Sequence, residues 1–301
     1  MTSRSTVTML AAILLVVFFA GSIVSRRVVE KQRGAESTLE EVLYLPSGKM
    51  VKKLSLGYSA LLADIYWTRA VQYFGAKHLK HSQRYDLLYP LLEITTDLDP
   101  KLTVAYEDGA VFLSQKPPGG AGQPDKAVTL VEKGIRANPE YWRLDFILGF
   151  VHYIDRHDPV AAQAAFEKGS KVPGAPPWMK VMAARMAERS RDINTSIALW
   201  QAVLDTTSDQ NLKDGAQLHL KSLLAERDIL ELENRVAEYR RQTGEVPTNW
   251  NDLIRANLIP GIPLAPDQKP YLLKPGGKVD VADPIEYRYL VEWRSNRELP
   301  Y

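Results

Sequence analysis

The stretch Tyr141–Pro173 constrains this chain more than any other. Leu144, Ile147, Leu148 and Val151 recur at helical spacing, and Ala161, Ala164, Ala165 and Phe166 do so again after a polar corner. Within Asp155-Arg156-His157-Asp158-Pro159, Asp158 is placed to cap the second helix and Pro159 to occupy its first turn. Pro173 closes this pair 34 residues after Pro139 closes another. One hairpin of that length cannot bury its own apolar face. A repeat at that period therefore predicts hairpins stacked on one another.

The residues within this period resemble tetratricopeptide repeats. Leu148-Gly149 match the Leu-Gly of the first helix, where a larger side chain would hold the helices apart. Ala161 matches the small residue at the closest crossing, Phe166 lies near the aromatic position, and Pro173 is the terminal Pro. His152 stands where the family usually has Tyr. Ala127 and Pro139 mark the preceding unit; Ala183, Trp200 and Ala202 mark the following one. The resemblance implies a mainly α, right-handed helical-hairpin solenoid. The first helix of each pair then lines a groove that binds a partner.

Carrying the repeat phase over places Arg143, Phe146, Phe150 and Tyr153 in that groove, with Glu107 and Val111 before them and Lys180 and Ala184 after. A clamp for chaperone tails would need Lys, Arg and Asn at several of these places. The central unit carries Phe146 and Phe150 instead, which suits a peptide or helix with apolar anchors. Packing of both rings against neighbouring helices is the other reading.

The helical period extends in both directions. Gly57–Gly75 places Leu61, Leu62, Ile65, Tyr66, Ala70 and Tyr73 on one face, with Gly75 as the expected C-cap. Tyr85–Asp99 is its partner, with Pro90 marking a kink or a start one turn later. Lys101–Gln115 and Pro124–Asn138 form the next pair around a non-helical loop, KPPGGAGQPD. The pair from Pro177 to Thr207 completes a repeat region over 56–211.

Residues 1–25 read as a transmembrane anchor or a signal sequence, because Thr8–Val24 is uncharged and apolar. Cleavage after Ser22 is one reading; the length of the apolar core favours an uncleaved anchor. Arg26, Arg27, Lys31 and Arg33 after the run argue for a cytoplasmic body by the positive-inside rule. The short N-terminal tail argues for an extracytoplasmic one, so the expectation is a single-pass bacterial inner-membrane protein with a periplasmic body. Residues 26–55 read as a linker, irregular with a turn at Leu45-Pro46-Ser47-Gly48. Leu43, Leu45, Met50 and Leu54 are available to pack on the first helix.

The last segment, 212–301, begins with a long helix over Leu212–Thr243 and ends it at Gly244. A Pro- and Gly-rich α+β cap follows, with a short helix at Trp250–Ala256. Tyr239, Gly244, Pro247, Leu253, Pro266-Asp267 and Pro270-Tyr271 together resemble the C-terminal part of type II secretion pseudopilins. The pilin cleavage signature is missing. The simpler reading is a β-hairpin cap that seals the long helix. The closing YRYLVEWR alternates like a strand and is expected to pair with the Tyr271–Leu273 run.

Chemistry-bearing patterns are sparse. The 301 residues hold 38 basic and 36 acidic side chains, so bulk charge gives no argument for nucleic acid. The absence of Cys removes disulfides, thiolate metal sites and Cys nucleophiles. His78 and His81, as H-x-x-H, and the corner group His152, Asp155, His157 and Asp158 would need three or four converging ligands to hold a metal; the corner group reads instead as a polar inter-helix turn. No H-E-x-x-H, phosphate loop or G-x-S-x-G occurs. The expectation is a non-enzymatic protein without cofactor: a membrane-anchored scaffold binding other proteins in assembly of an envelope or secretion complex. The alternative is a permanent structural or accessory subunit of a larger membrane or filament complex.

Overall fold

A computed structural model describes residues 47–290. The apolar run Thr8–Val24 and most of the proposed linker lie outside the described residues. Among the described residues no helix is long and apolar enough to cross a membrane. The chain divides into two compact units.

The first unit, residues 47–105 with the loop 116–122, holds α1 (Gly48–Leu54), α2 (Ser59–Leu79) and α3 (Leu88–Leu98). Its core is Ala63, Ile94 and Leu98, with Val51, Leu62, Tyr66 and Leu102 packed around them. Four sequence expectations are corrected here. The end of the linker is helical: Ser47 Oγ accepts from Met50 N, and buried Gly48 lets α1 lie directly against Asp97. Met50 and Leu54 are exposed, and Val51 is the α1 side chain packed against the core. Gly75 is not a C-cap, because α2 runs on to Leu79, and Leu61 and Ile65 face outward. Pro90 sits in the first turn of α3, consistent with a later start.

The loop 116–122 belongs to this unit and contains a cis bond between Pro117 and Pro118. Tyr85 Oη donates to the Pro118 carbonyl at 2.9 Å, and His78 Nδ1 lies 3.0 Å from the same oxygen. A carbonyl only accepts, so His78 is protonated at Nδ1 and is occupied as a loop clamp.

The second unit, residues 106–115 and 123–290, holds most of α4 (Thr103–Ser114) and then α5 (Pro124–Ala137), α6 (Arg143–Phe150) and α7 (Pro159–Ser170). After these come α8 (Trp178–Arg189), α9 (Ile193–Thr206), the long α10 (Gln210–Thr243) and α11 (Trp250–Arg255). From α5 to α10 each helix packs on the next. Local chemistry sets the ends. Asp158 accepts from Ala161 N at 2.9 Å ahead of Pro159, and Asp192 and Asp209 cap α9 and α10 in the same way. Gly244 ends α10 in the left-handed conformation, φ 79°, which only Gly adopts cheaply.

Between α6 and the corner, Val151–Asp155 form a π-helical turn, with Arg156 N donating to Val151 O at 3.1 Å. A π-turn takes in one extra residue. The small residue buried at the α6/α7 contact is accordingly Ala162, fully buried, and not Ala161. Gly149 faces Phe166 so closely that a Cβ there would lie 2.5 Å from the ring.

The C-terminal residues cap α10. Ala225, Ile229, Leu232 and Val236 of α10 share one core with Trp250, Leu253, Tyr271, Val279, Val281, Tyr287 and Leu290. Trp250 Nε1 donates to Tyr271 O at 2.8 Å, and Asn249 and Asp252 form a capping box on α11. β1 (Leu272–Leu273) pairs antiparallel with β2 (Val279–Asp280) around Pro275-Gly276-Gly277. Of the closing segment expected to pair with the Tyr271–Leu273 run, residues 291–294 lie outside the described residues. Its described part enters a 3-10 turn at Pro284–Tyr287, where Asp283 accepts from Ile285 N.

Candidate functional site

The groove candidates do not stay together. Phe146, Phe150 and Tyr153 stand at successive turns of α6 and its π extension, each half-buried over a core of Ala162, Phe166, Met179, Ala183 and Met186. The ring centroids of Phe146 and Phe150 are 4.7 Å apart, edge to face, and lie 6.1 and 5.8 Å from Phe166. The reading of these rings as packed against neighbouring helices therefore holds: both pack inward on Phe166, and each retains an outer surface.

Two residues extend this face beyond the expected set. Trp178, 40% exposed at the start of α8, lies edge-on to Phe146 at 5.2 Å and to Trp142 at 5.9 Å. Trp142 precedes Phe146 by one helical turn, a signal available in the sequence. Trp178 follows the Pro-rich corner, and only the fold brings it here. Such edge-to-face contacts add about 0.5–1.5 kcal/mol per pair beyond burial, so the rings hold one another in place.

Cations border it. Arg143 lies over the Trp142 ring at 5.7 Å, and Arg189 over Tyr153 at 5.2 Å. Arg185 is exposed on the same stripe of α8 as Trp178 and Met182. Glu107 on α4 joins the edge, accepting from Tyr141 Oη at 2.8 Å and lying 3.8 Å from the Arg143 guanidinium. Val111, half-buried, is one turn further along α4. Lys180 is turned elsewhere, its Nζ donating to Thr206 Oγ1 on α9 at 2.8 Å. Ala184 has no exposed surface and packs with Trp200 and Val203, so it lines no groove. The reason is crowding: the side of α8 bearing Ala184 is covered by α9 and α10.

The corner group resolves into structural roles. His152 is buried, its Nδ1 3.5 Å from the Arg156 guanidinium, and Asp158 is a helix cap. Burial, then the nearby Arg156, push the His152 imidazole below its ordinary value, outweighing the opposite pull of Asp158 and Glu132. Folded His152 thus binds its proton more weakly than the unfolded chain. Stability it contributes above about pH 6.5 is lost as pH falls below that value. His152→Gln is expected to flatten the fall in melting temperature between pH 7 and 5, measured by circular dichroism. An unchanged slope would exclude His152 as its source.

A buried dyad escaped the sequence reading. Glu188 Oε1 accepts from Trp200 Nε1 and from His219 Nδ1, both at 2.7 Å. His219 is stacked between Trp200 at 4.0 Å and Tyr289 at 3.6 Å. A carboxylate on Nδ1 is how a general base is oriented. Here both imidazole faces are covered by rings and the side chain is almost wholly buried, so the pair braces α8, α9 and α10. Among the described residues no three His, Asp or Glu side chains converge on a common metal position.

The described helices, packed in consecutive order, are compatible with a helical-repeat fold. No protein family matches the chain, and no curated protein is significantly similar to it.

Proposed function

We propose that this chain is a membrane-anchored, tetratricopeptide-like scaffold that binds other proteins in assembling an envelope or secretion complex. The observation that carries the binding role is the half-exposed aromatic face of Trp142, Phe146, Phe150, Tyr153 and Trp178, bordered by Arg143, Arg185 and Arg189. Rigid aromatic anchors with a cationic rim suit a helix or extended peptide bearing apolar anchors and acidic flanks. The repeat assignment is supported by register. Once the π-turn has absorbed its extra residue, Ala162 and Phe166 stand in the A-x-x-x-F spacing, with Gly149 against Phe166. The membrane role rests on the uncharged run Thr8–Val24.

Trp178 is the informative probe, because its exposure lets the fold survive its loss. A tagged full-length protein is recovered from detergent-solubilised native membranes and compared with Trp178→Ala. A fixed set of bound proteins is expected to fall at least tenfold in the variant, the usual effect of losing an aromatic anchor. An equal yield from both proteins would reject this face as the binding site. Stoichiometric recovery resistant to salt and to the substitution would favour a permanent subunit of a larger complex.

A further inference from the structure

The first unit exposes apolar side chains where the chain enters it. Leu54, Leu56 and Tyr58 are 68%, 88% and 69% exposed, and Met50, Leu61 and Ile65 are exposed beside them in sequence. Leu56 and Gly57 are both left-handed, φ 47° and 93°, in a turn closed by Tyr58 N donating to Ser55 O at 2.8 Å. A β-carbon makes that conformation unfavourable, and this leucine gains no compensating burial from the described fold. The turn holds it out into solvent.

Charge accompanies it. On α1 the helical period puts Lys49 and Lys53 on the same side as Met50 and Leu54, while Gly48 and Val51 face the protein. Lys52 lies apart, donating to Asp97 O at 3.1 Å. From Gly48 to Val71 the cations are Lys49, Lys52, Lys53 and Arg69, against the single carboxylate Asp64. The segment begins directly after the 46 residues that carry the uncharged run, and 22 residues separate Val24 from Ser47.

We infer that this tip, from Met50 to Ile65, docks into the interface of a lipid bilayer bearing anionic headgroups. Separate apolar side chains projecting from a turn, flanked by lysines, match an interfacial insertion: the side chains enter the headgroup boundary and the ammonium groups stay among the phosphates. A protein groove is a poorer fit, because it would have to enclose a projecting turn. The inference rests on the proposed membrane anchoring, since a 22-residue tether from an embedded run keeps the tip within reach of the surface.

The chain has no Cys, so a single introduced thiol labels uniquely. Full-length Leu56→Cys, Val16→Cys and Gln217→Cys are each coupled to an environment-sensitive fluorophore. Each is reconstituted in phosphatidylcholine vesicles with or without phosphatidylglycerol, containing acyl-chain spin-labelled lipid. Quenching of at least twofold is expected at positions 16 and 56 in anionic vesicles, with none at the exposed α10 position 217. Replacing Lys49 and Lys53 with Glu is expected to abolish it at 56 alone. Quenching at 16 with a solvent-like signal at 56 would overturn the inference and leave the anchor standing. Quenching at 56 alone would uphold the tip and reject the anchor. No quenching at either would overturn both. A buried signal at 56 in native membranes but not in protein-free vesicles would reject lipid in favour of a protein partner.

Discussion

Trp200→Ala is expected to lower the unfolding free energy of the second unit by about 3–5 kcal/mol, the range for deleting a large buried aromatic. Trp200 is 2% exposed and packs with Ala184, Val203, Ala216, Leu220 and Leu223, so its loss opens a cavity between α8, α9 and α10. The indole also supplies one of the two donors to Glu188 Oε1 and one of the two rings enclosing His219. Removing it takes a donor from a largely buried carboxylate while the cavity forms. Trp200→Phe separates the two effects. It keeps most of the ring contact but loses the Nε1 donor, and the cost should fall to about 1–3 kcal/mol. Urea unfolding followed by circular dichroism checks both, the midpoint moving at an unchanged slope. A loss under about 1 kcal/mol for Trp200→Ala would mean that this cluster is not the core of the unit.

The second large effect belongs to the α6/α7 contact. Phe166→Ala should also cost about 3–5 kcal/mol, because Phe166 is fully buried under Phe146, Phe150 and Gly149. Gly149→Leu should destabilise by at least about 1–3 kcal/mol, since even its Cβ would lie 2.5 Å from the Phe166 ring. The combination is the stronger test. With the ring removed, the introduced leucine enters vacated space, so the double variant should be more stable than the two single losses sum to. A coupling of about 0.5–3 kcal/mol is expected in the cycle, and strict additivity would refute the direct contact. Because Phe166 supports Phe146 and Phe150 from beneath, Phe166→Ala should also weaken partner capture by the aromatic face.

The proposed binding face and the proposed membrane tip differ in how they are built. Phe146, Phe150 and Trp178 hold one another in place, and their outer edges stay accessible because the helices carrying them are packed from behind. Leu56 has no such support, and its exposure comes from the backbone of one turn. The first is suited to selecting a partner by shape, the second to entering a medium that has no shape of its own.

The helices were legible wherever their signals are local. Asp158 with Pro159, the Leu148-Gly149 pair, the Pro-rich corners and Gly244 each act within about one turn, so the residues taken in order place α3 to α7 and α10 closely, and the outer limits of the α8/α9 pair. The stripe of Phe146, Phe150 and Tyr153 was legible for the same reason. What depended on remote contacts was not. Gly75 carries a C-cap signal, yet α2 continues through it to Leu79. Leu61 and Ile65 read as core but face outward, because α3 packs on the other side of α2, where Ala63 is buried. The π-turn moved the buried small residue from Ala161 to Ala162, a shift of one residue invisible to a fixed period. Ala184 shares the groove phase, yet α9 and α10 cover it, while Trp178 comes to the face from outside the expected set. β1 takes β2 as a partner across a three-residue turn, a pairing that the alternation of the closing segment did not point to. From α3 onward the sequence alone therefore determined which stretches form helices and where they stop, because capping and periodicity are short-range. Only the tertiary structure decided which apolar faces are covered and which remain open, because that depends on what folds back from tens of residues away.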